Sequence, residues 1–128
     1  MIWYLDTSAF LKVVVAEAES PALRRWFARQ DEVWSSSLLQ TEALRAGARL
    51  GLASDVVEEA LETITLVLPT ASTFYVAGQL GPSTLRSLDA LHLATALELG
   101  SDLAGVVTYD ERLVEAASLA SVAVLAPR

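Results

Sequence analysis

Short apolar runs alternating with helix-forming stretches predict an α/β fold of three layers, a central parallel sheet of about five strands flanked by helices. Three observations carry that reading. Runs of strand-forming residues recur at Ile2–Leu5, Val33–Ser36, Ile64–Leu68, Gly105–Tyr109 and Val122–Leu125. The stretches between them have room for one or two helices each. Glycine and proline sit where elements should stop, at Gly51, Gly81-Pro82 and Gly100 for helices and at Pro69 for a strand.

Taken in order, Ile2–Leu5 gives way to a helix over Ser8–Ala16. Ser20-Pro21 opens a second helix running to about Gln30, with proline at its first turn. After the strand Val33–Ser36, residues Ser37 to about Leu50 form a helix that Gly51 ends. Ser54 caps the next, to Thr63, with acids in its early turns. Ile64–Leu68 is a strand closed by Pro69, and Ala71–Gln79 a helix closed by Gly81-Pro82. Ser87 begins "SLDALHLATALEL", where Leu88, Leu91, Ala94 and Leu99 demand a core face. Gly105–Tyr109, a helix over Asp110–Leu119, and Val122–Leu125 complete the pattern.

The chain's 128 residues are expected to form a single domain, 1–128, with a sizeable core. A hydrophobic content of 53% excludes a disordered chain. The apolar runs are far shorter than the ~20 residues that span a bilayer, so no membrane role is expected. No basic leader precedes Asp6 and Lys12, and there is no cysteine. These features exclude a disulfide framework and a thiolate site and suit a cytoplasmic protein. A net charge of −7 argues against nonspecific adhesion to nucleic acid, although eight of the nine basic residues are arginine.

In an open parallel sheet, ligands bind beyond the carboxyl ends of the strands, where strand order reverses. Asp6 stands immediately after the first strand, and Asp110 in the same relation to "GVVTY". Asp89 lies in the first turn of an otherwise apolar helix, and Glu42 on the helix after the second strand. Four acids so placed can converge above the sheet, where their repulsion calls for a cation. Taken singly, each also reads as ordinary structure. Asp6 and Asp110 suit helix caps, Asp89 a helix-dipole acid, and Glu42 a partner for Arg45 or Arg49.

The segments "MIWYLDTSAFLK", "SSLLQTEALRA", "LRSLDALHLATAL" and "VVTYDERLVEAA" resemble, in order, the four acidic motifs of the PIN-domain family. The resemblance is closest to the VapC-type toxin ribonucleases of bacterial toxin–antitoxin pairs, and it runs to about Ala117. It implies a metal-dependent endoribonuclease acting on RNA phosphodiester bonds, leaving a 5′-phosphate and a 3′-hydroxyl. A cognate antitoxin and a homodimer are implied as partners. By the same resemblance Asp6, Glu42, Asp89 and Asp110 form the catalytic acidic quartet, with Ser8 and Thr108 as supporting hydroxyls.

An all-oxygen carboxylate set favours hard ions, Mg²⁺ or Mn²⁺, over zinc. Asp6, Asp89 and Asp110 are the expected metal ligands, and Glu42 would orient or deprotonate the attacking water. Arg86, just before the third motif, suits contact with a phosphate or a partner's carboxylate. His92, the only histidine, reads as structural, with a satisfied hydrogen bond. Trp26, Phe27, Trp34, Phe74 and Tyr75 read as core or interface. The Arg24, Arg25 and Arg29 cluster offers a local basic patch. A receiver domain would need a lysine near its last strand, but the only lysine is Lys12. Haloacid-dehalogenase-type phosphatases need an aspartate where Ser8 stands. A catalytically silent binding module is the remaining alternative, against which the complete quartet weighs.

Overall fold

The computed structural model describes all 128 residues, and its strands and helices follow the expected alternation. Strand β1 (Ile2–Leu5) leads into α1 (Thr7–Val14) and α2 (Ser20–Ala28), and β2 (Val33–Ser36) into α3 (Leu38–Arg49) and α4 (Ser54–Leu61). Then come β3 (Thr65–Val67), α5 (Ala71–Ala77), α6 (Ser87–Leu97), β4 (Leu103–Val107), α7 (Glu111–Leu119) and β5 (Val124–Leu125). All pairings are parallel, in the order β3-β2-β1-β4-β5. The chain builds outward from β1 in one direction through β2 and β3, then returns to add β4 and β5 on the other side. The order therefore reverses between β1 and β4, and a crevice is expected above their carboxyl ends.

Strand alternation divides the core. Leu5 and Val107 face the helices α1 to α4, in a cluster with Phe10, Leu23, Leu39 and Val57. Tyr4 and Val106 face the opposite layer with Leu93, Leu113 and Ala116. In α6 every residue from Ala90 to Ala96 is buried, because the helix lies between the sheet, α5 and α7. Leu88 is not in that core as expected; it is exposed at the helix's first turn. Gly51 and Gly100 take left-handed backbone, at φ +76° and +55°, where helix ends were expected.

Several boundaries shift for local reasons. Strand β4 begins at Leu103, two residues early, and stops at Val107, because the Tyr109 N–H donates to the Ser8 hydroxyl instead of a neighbouring strand. Ser20 does not cap α2: its hydroxyl donates to the Val15 carbonyl and accepts from the Glu17 N–H, tying the preceding loop. Ser54 is the first helical residue of α4, and Ala53, which has no capping side chain, holds the cap position. Among the aromatic residues, Trp26 is buried in edge contact with Trp3 and Phe27, whereas Phe74 and Tyr75 are exposed. No helix is long and apolar enough to cross a membrane.

Candidate active site

The register of β1 on β4 sets Leu5 beside Val107, so the next residues, Asp6 and Thr108, meet at the strand ends. Asp6 is only 3% exposed, and a buried carboxylate must find donors. It has four hydrogen bonds. Thr108 Oγ1 donates to Oδ2 at 2.6 Å, the Ala9 N–H to Oδ1 at 2.9 Å, and Ser8 Oγ to both oxygens at 2.8 and 3.0 Å. The bond from Ala9 makes Asp6 the N-cap of α1, so the structural and functional readings of this residue are both correct. Burial pushes the Asp6 carboxyl above its ordinary range, and the bonds from Thr108, Ala9 and Ser8 oppose that push without cancelling it.

Thr108 links this acid to the next. Its Oγ1 accepts from the Asp110 N–H at 3.1 Å, and Asp110 in turn caps α7 by accepting from the Arg112 N–H. The other oxygen of Asp110 receives Arg86 Nη2 at 2.9 Å, while Arg86 Nε meets Asp89 Oδ2 at 3.0 Å. One guanidinium thus bridges two acids of the expected quartet. Arg86, expected to suit a phosphate or a partner's carboxylate, is paired here with two carboxylates of its own chain.

Glu42 pairs with neither Arg45 nor Arg49. Its Oε1 accepts from Thr7 Oγ1 at 3.0 Å and lies 2.6 Å from His92 Nε2. Burial pushes this carboxyl up, but the His92 and Thr7 hydrogen bonds outweigh it, so Glu42 is held below the usual range. With Arg86, Ser87, Leu88 and Asp89 it lines a cleft of about 270 Å³. A larger groove of about 620 Å³ lies away from the acids, between α5 and the start of α6, walled by Phe74, Leu80, Pro82, Leu85 and Leu91.

Asp6, Glu42, Asp89 and Asp110 therefore surround one end of the sheet, but no three acids stand close enough together to share an ion. The expected direct convergence is replaced by individual compensation, with hydroxyls at Asp6, His92 and Thr7 at Glu42, and Arg86 between Asp89 and Asp110. The donor set still fits a hard divalent cation. It is entirely oxygen, and the guanidinium between Asp89 and Asp110 marks where positive charge is called for.

Sequence reasoning found the acids and the hydroxyls of Ser8 and Thr108, but not Tyr4 or Thr7, and it left His92 apart from the site. Two weak signals existed. Tyr4 and Asp6 share a strand face at a spacing of two, and Asp89 and His92 share a helix face at a spacing of three.

Comparison with known proteins bears on the family and the fold. The sequence model of the PIN domain matches residues 3–119. Ribonuclease VapC46 of Mycobacterium tuberculosis is 42% identical over 125 residues, covering 97% of this chain and 96% of that relative. Ribonuclease VapC35 of the same organism is 40% identical over 134 residues, with the same coverages. Among solved structures, M. tuberculosis VapC20, described as a Sarcin-Ricin loop cleaving toxin, superposes with a TM-score of 0.78 at 17% identity, covering 98% of this chain and 99% of that one. VapBC2 from Rickettsia felis, bound to a promoter DNA fragment, gives a TM-score of 0.70 at 14% identity over the whole of both chains. At those identities the two structures speak for the fold, while the family match and the two closer relatives speak for descent: this chain belongs to the PIN-domain family.

Proposed function

We propose that the protein is a metal-dependent endoribonuclease, the toxin of a toxin–antitoxin pair, which hydrolyses RNA phosphodiester bonds. One observation carries the reading: Asp6, Glu42, Asp89 and Asp110 border the strand-order reversal of a PIN-domain chain, with Thr108 tying Asp6 to Asp110. The relatives named as VapC ribonucleases support the RNA substrate.

The chain's own groups have distinct duties. Asp6 is a fixed carboxyl, held by three donors that leave it no freedom to rotate. Asp89 and Asp110 are the exchangeable pair, able to trade Arg86 for a divalent ion. Mg²⁺ or Mn²⁺, when bound, supplies an acidified water and neutralises charge on the phosphate. Glu42, held below the usual carboxylate range and with Oε2 carrying no protein donor, is placed to orient an attacking water and would accept its proton. Because the chain carries a net charge of −7, RNA is held by local arginines and by the bound ion rather than by the protein's overall field.

Cleavage of RNA should require Mg²⁺ or Mn²⁺ and cease in EDTA, and Asp6→Asn should lose at least ~10²-fold in rate. Cleavage that survives EDTA or that substitution would defeat the metal mechanism. The exposed Phe74 and Tyr75, beside the apolar groove, support an antitoxin partner and a homodimer. Light scattering at micromolar concentration should return twice the chain mass; a monomer there rejects the dimer.

A further inference from the structure

The single histidine lies at the centre of a buried chain of hydrogen bonds that ends on a catalytic acid. His92 is 1% exposed. On one side the Tyr4 hydroxyl is 2.7 Å from Nδ1, and on the other Nε2 is 2.6 Å from Glu42 Oε1. Thr7 Oγ1 closes the corner, 3.0 Å from the same oxygen and 3.2 Å from Nε2.

The direction of every bond in this chain can be worked out from both ends. Tyr4 is fully buried and its hydroxyl has His92 as its one hydrogen-bond partner. Were that hydroxyl to accept from an Nδ1–H, its own proton would have no acceptor in hydrogen-bond geometry, since the neighbouring Ser35 hydroxyl makes no hydrogen bond and Thr95 Oγ1 is turned to the Leu91 carbonyl, a costly arrangement. Tyr4 therefore donates, and Nδ1 accepts. At the other end, a bare Nε2 lone pair 2.6 Å from a carboxylate oxygen would be repelled, so Nε2 bears the proton and donates to Glu42. Both ends select the same neutral tautomer.

We propose that His92 is a positioning residue for Glu42, locked by Tyr4 into the Nε2–H tautomer so that Glu42 Oε1 is occupied and Oε2 is the oxygen presented to the reaction. The inference rests on the ribonuclease reading for the role of Glu42, but the tautomer lock stands on geometry alone. A carboxylate gripped at one oxygen by Nε2–H and by Thr7 cannot turn end for end. A water bound at Oε2 then keeps one position from one turnover to the next. It follows that Tyr4, which touches nothing that reacts, acts on catalysis through the histidine.

Because the chain has one histidine, the lock can be read without assignment. In ¹⁵N spectra of the uniformly labelled protein without metal, one imidazole nitrogen should be protonated and correlated with Hε1 and Hδ2 as Nε2. Tyr4→Phe should allow the Nδ1–H form to appear. In RNA cleavage with Mg²⁺, His92→Leu should lose roughly 10–100-fold in kcat with little change in KM. His92→Gln, which returns an N–H donor near the Nε2 position, should recover most of that loss, while both variants lose thermal stability. A wild-type spectrum with Nδ1 protonated, or with both nitrogens protonated, overturns the lock. Equal kcat losses in His92→Leu and His92→Gln, or a loss confined to KM, overturn the positioning role. A wild type that cuts no RNA at all overturns the ribonuclease reading and the positioning role with it, and the spectrum still decides the tautomer.

Discussion

The two halves of the acidic site are stabilised by different means. Asp6 and Glu42 are held by neutral or backbone donors inside the fold: Thr108, Ser8 and the Ala9 N–H for one, His92 and Thr7 for the other. Asp89 and Asp110, whose own side chains are no more exposed than that of Glu42, share one arginine at the rim whose side chain is 61% exposed. The first pair differs within itself as well, since Asp6 is buried and burial prevails there, whereas Glu42 is half-buried and the attractive contacts prevail. Neutral donors fix a carboxylate's orientation without satisfying its charge fully, whereas an exposed guanidinium satisfies charge and can be exchanged. On the proposed metal-dependent reading the two means would be complementary, the first pair fixing the scaffold and the second exchanging its arginine for a cation.

Removing a donor from the buried Asp6 should have the larger effect. Thr108→Val takes away the 2.6 Å bond to Asp6 and the acceptor of the Asp110 N–H, and should cost about 1–3 kcal/mol of stability. The cost should depend on pH. Asp6 has a raised pKa in the fold, so the unfolded chain ionises first, near ~4. Stability is fully present below that value and falls as pH rises through the folded one. Thr108 favours the ionised form, so its loss raises the folded pKa further and widens that window. Melts of both proteins from pH 3.5 to 7.5 should therefore diverge as pH rises; a constant gap would mean that Thr108 acts by packing alone.

The rim should respond more weakly in stability and in the opposite sense for metal. Arg86→Gln breaks two exposed ion pairs, worth about 0–1 kcal/mol together, so melting in EDTA should hardly move. The same change removes the competitor from Asp89 and Asp110. Mn²⁺ affinity, titrated by calorimetry or relaxation enhancement, should tighten by up to about fivefold, the equivalent of ~1 kcal/mol. Weaker binding in Arg86→Gln would show that the arginine assists the cation instead of excluding it.

How much of this was legible beforehand follows from the range of each interaction. Asp6 and Asp110 were readable because a strand followed at once by an acid is a local pattern, and both do cap the next helix. Glu42 was located through its motif but its partner was not, because Thr7 and His92 reach it across 35 and 50 residues of sequence. The Arg86 bridge to Asp89 lies within one helical turn and could have been anticipated; the second arm, to Asp110, spans 24 residues. Capping misled where the residue type was right but the backbone was not, as at Ser20 and Ser54, since a cap depends on backbone angles that neighbours decide. Periodicity located α6 but misjudged its faces, placing the exposed Leu88 in the core, because from Ala90 to Ala96 the helix is buried all round and has no polar stripe to mark a face.

The strand order has a consequence for the timing of activity. Strands β1 and β4 are neighbours in space, yet Thr108 reaches Asp6 across 102 residues of chain. A polypeptide emerging from the ribosome makes Asp6, Glu42 and Asp89 well before the strand that completes their surroundings. Until β4 and the turn after it are made, Asp6 has no Thr108, Arg86 has no Asp110, and β1 is an unpaired edge on that side. A ribonuclease built in this order has no assembled site until β4 and Thr108 have been made. A chain halted short of Thr108 carries three of the four acids and no assembled site.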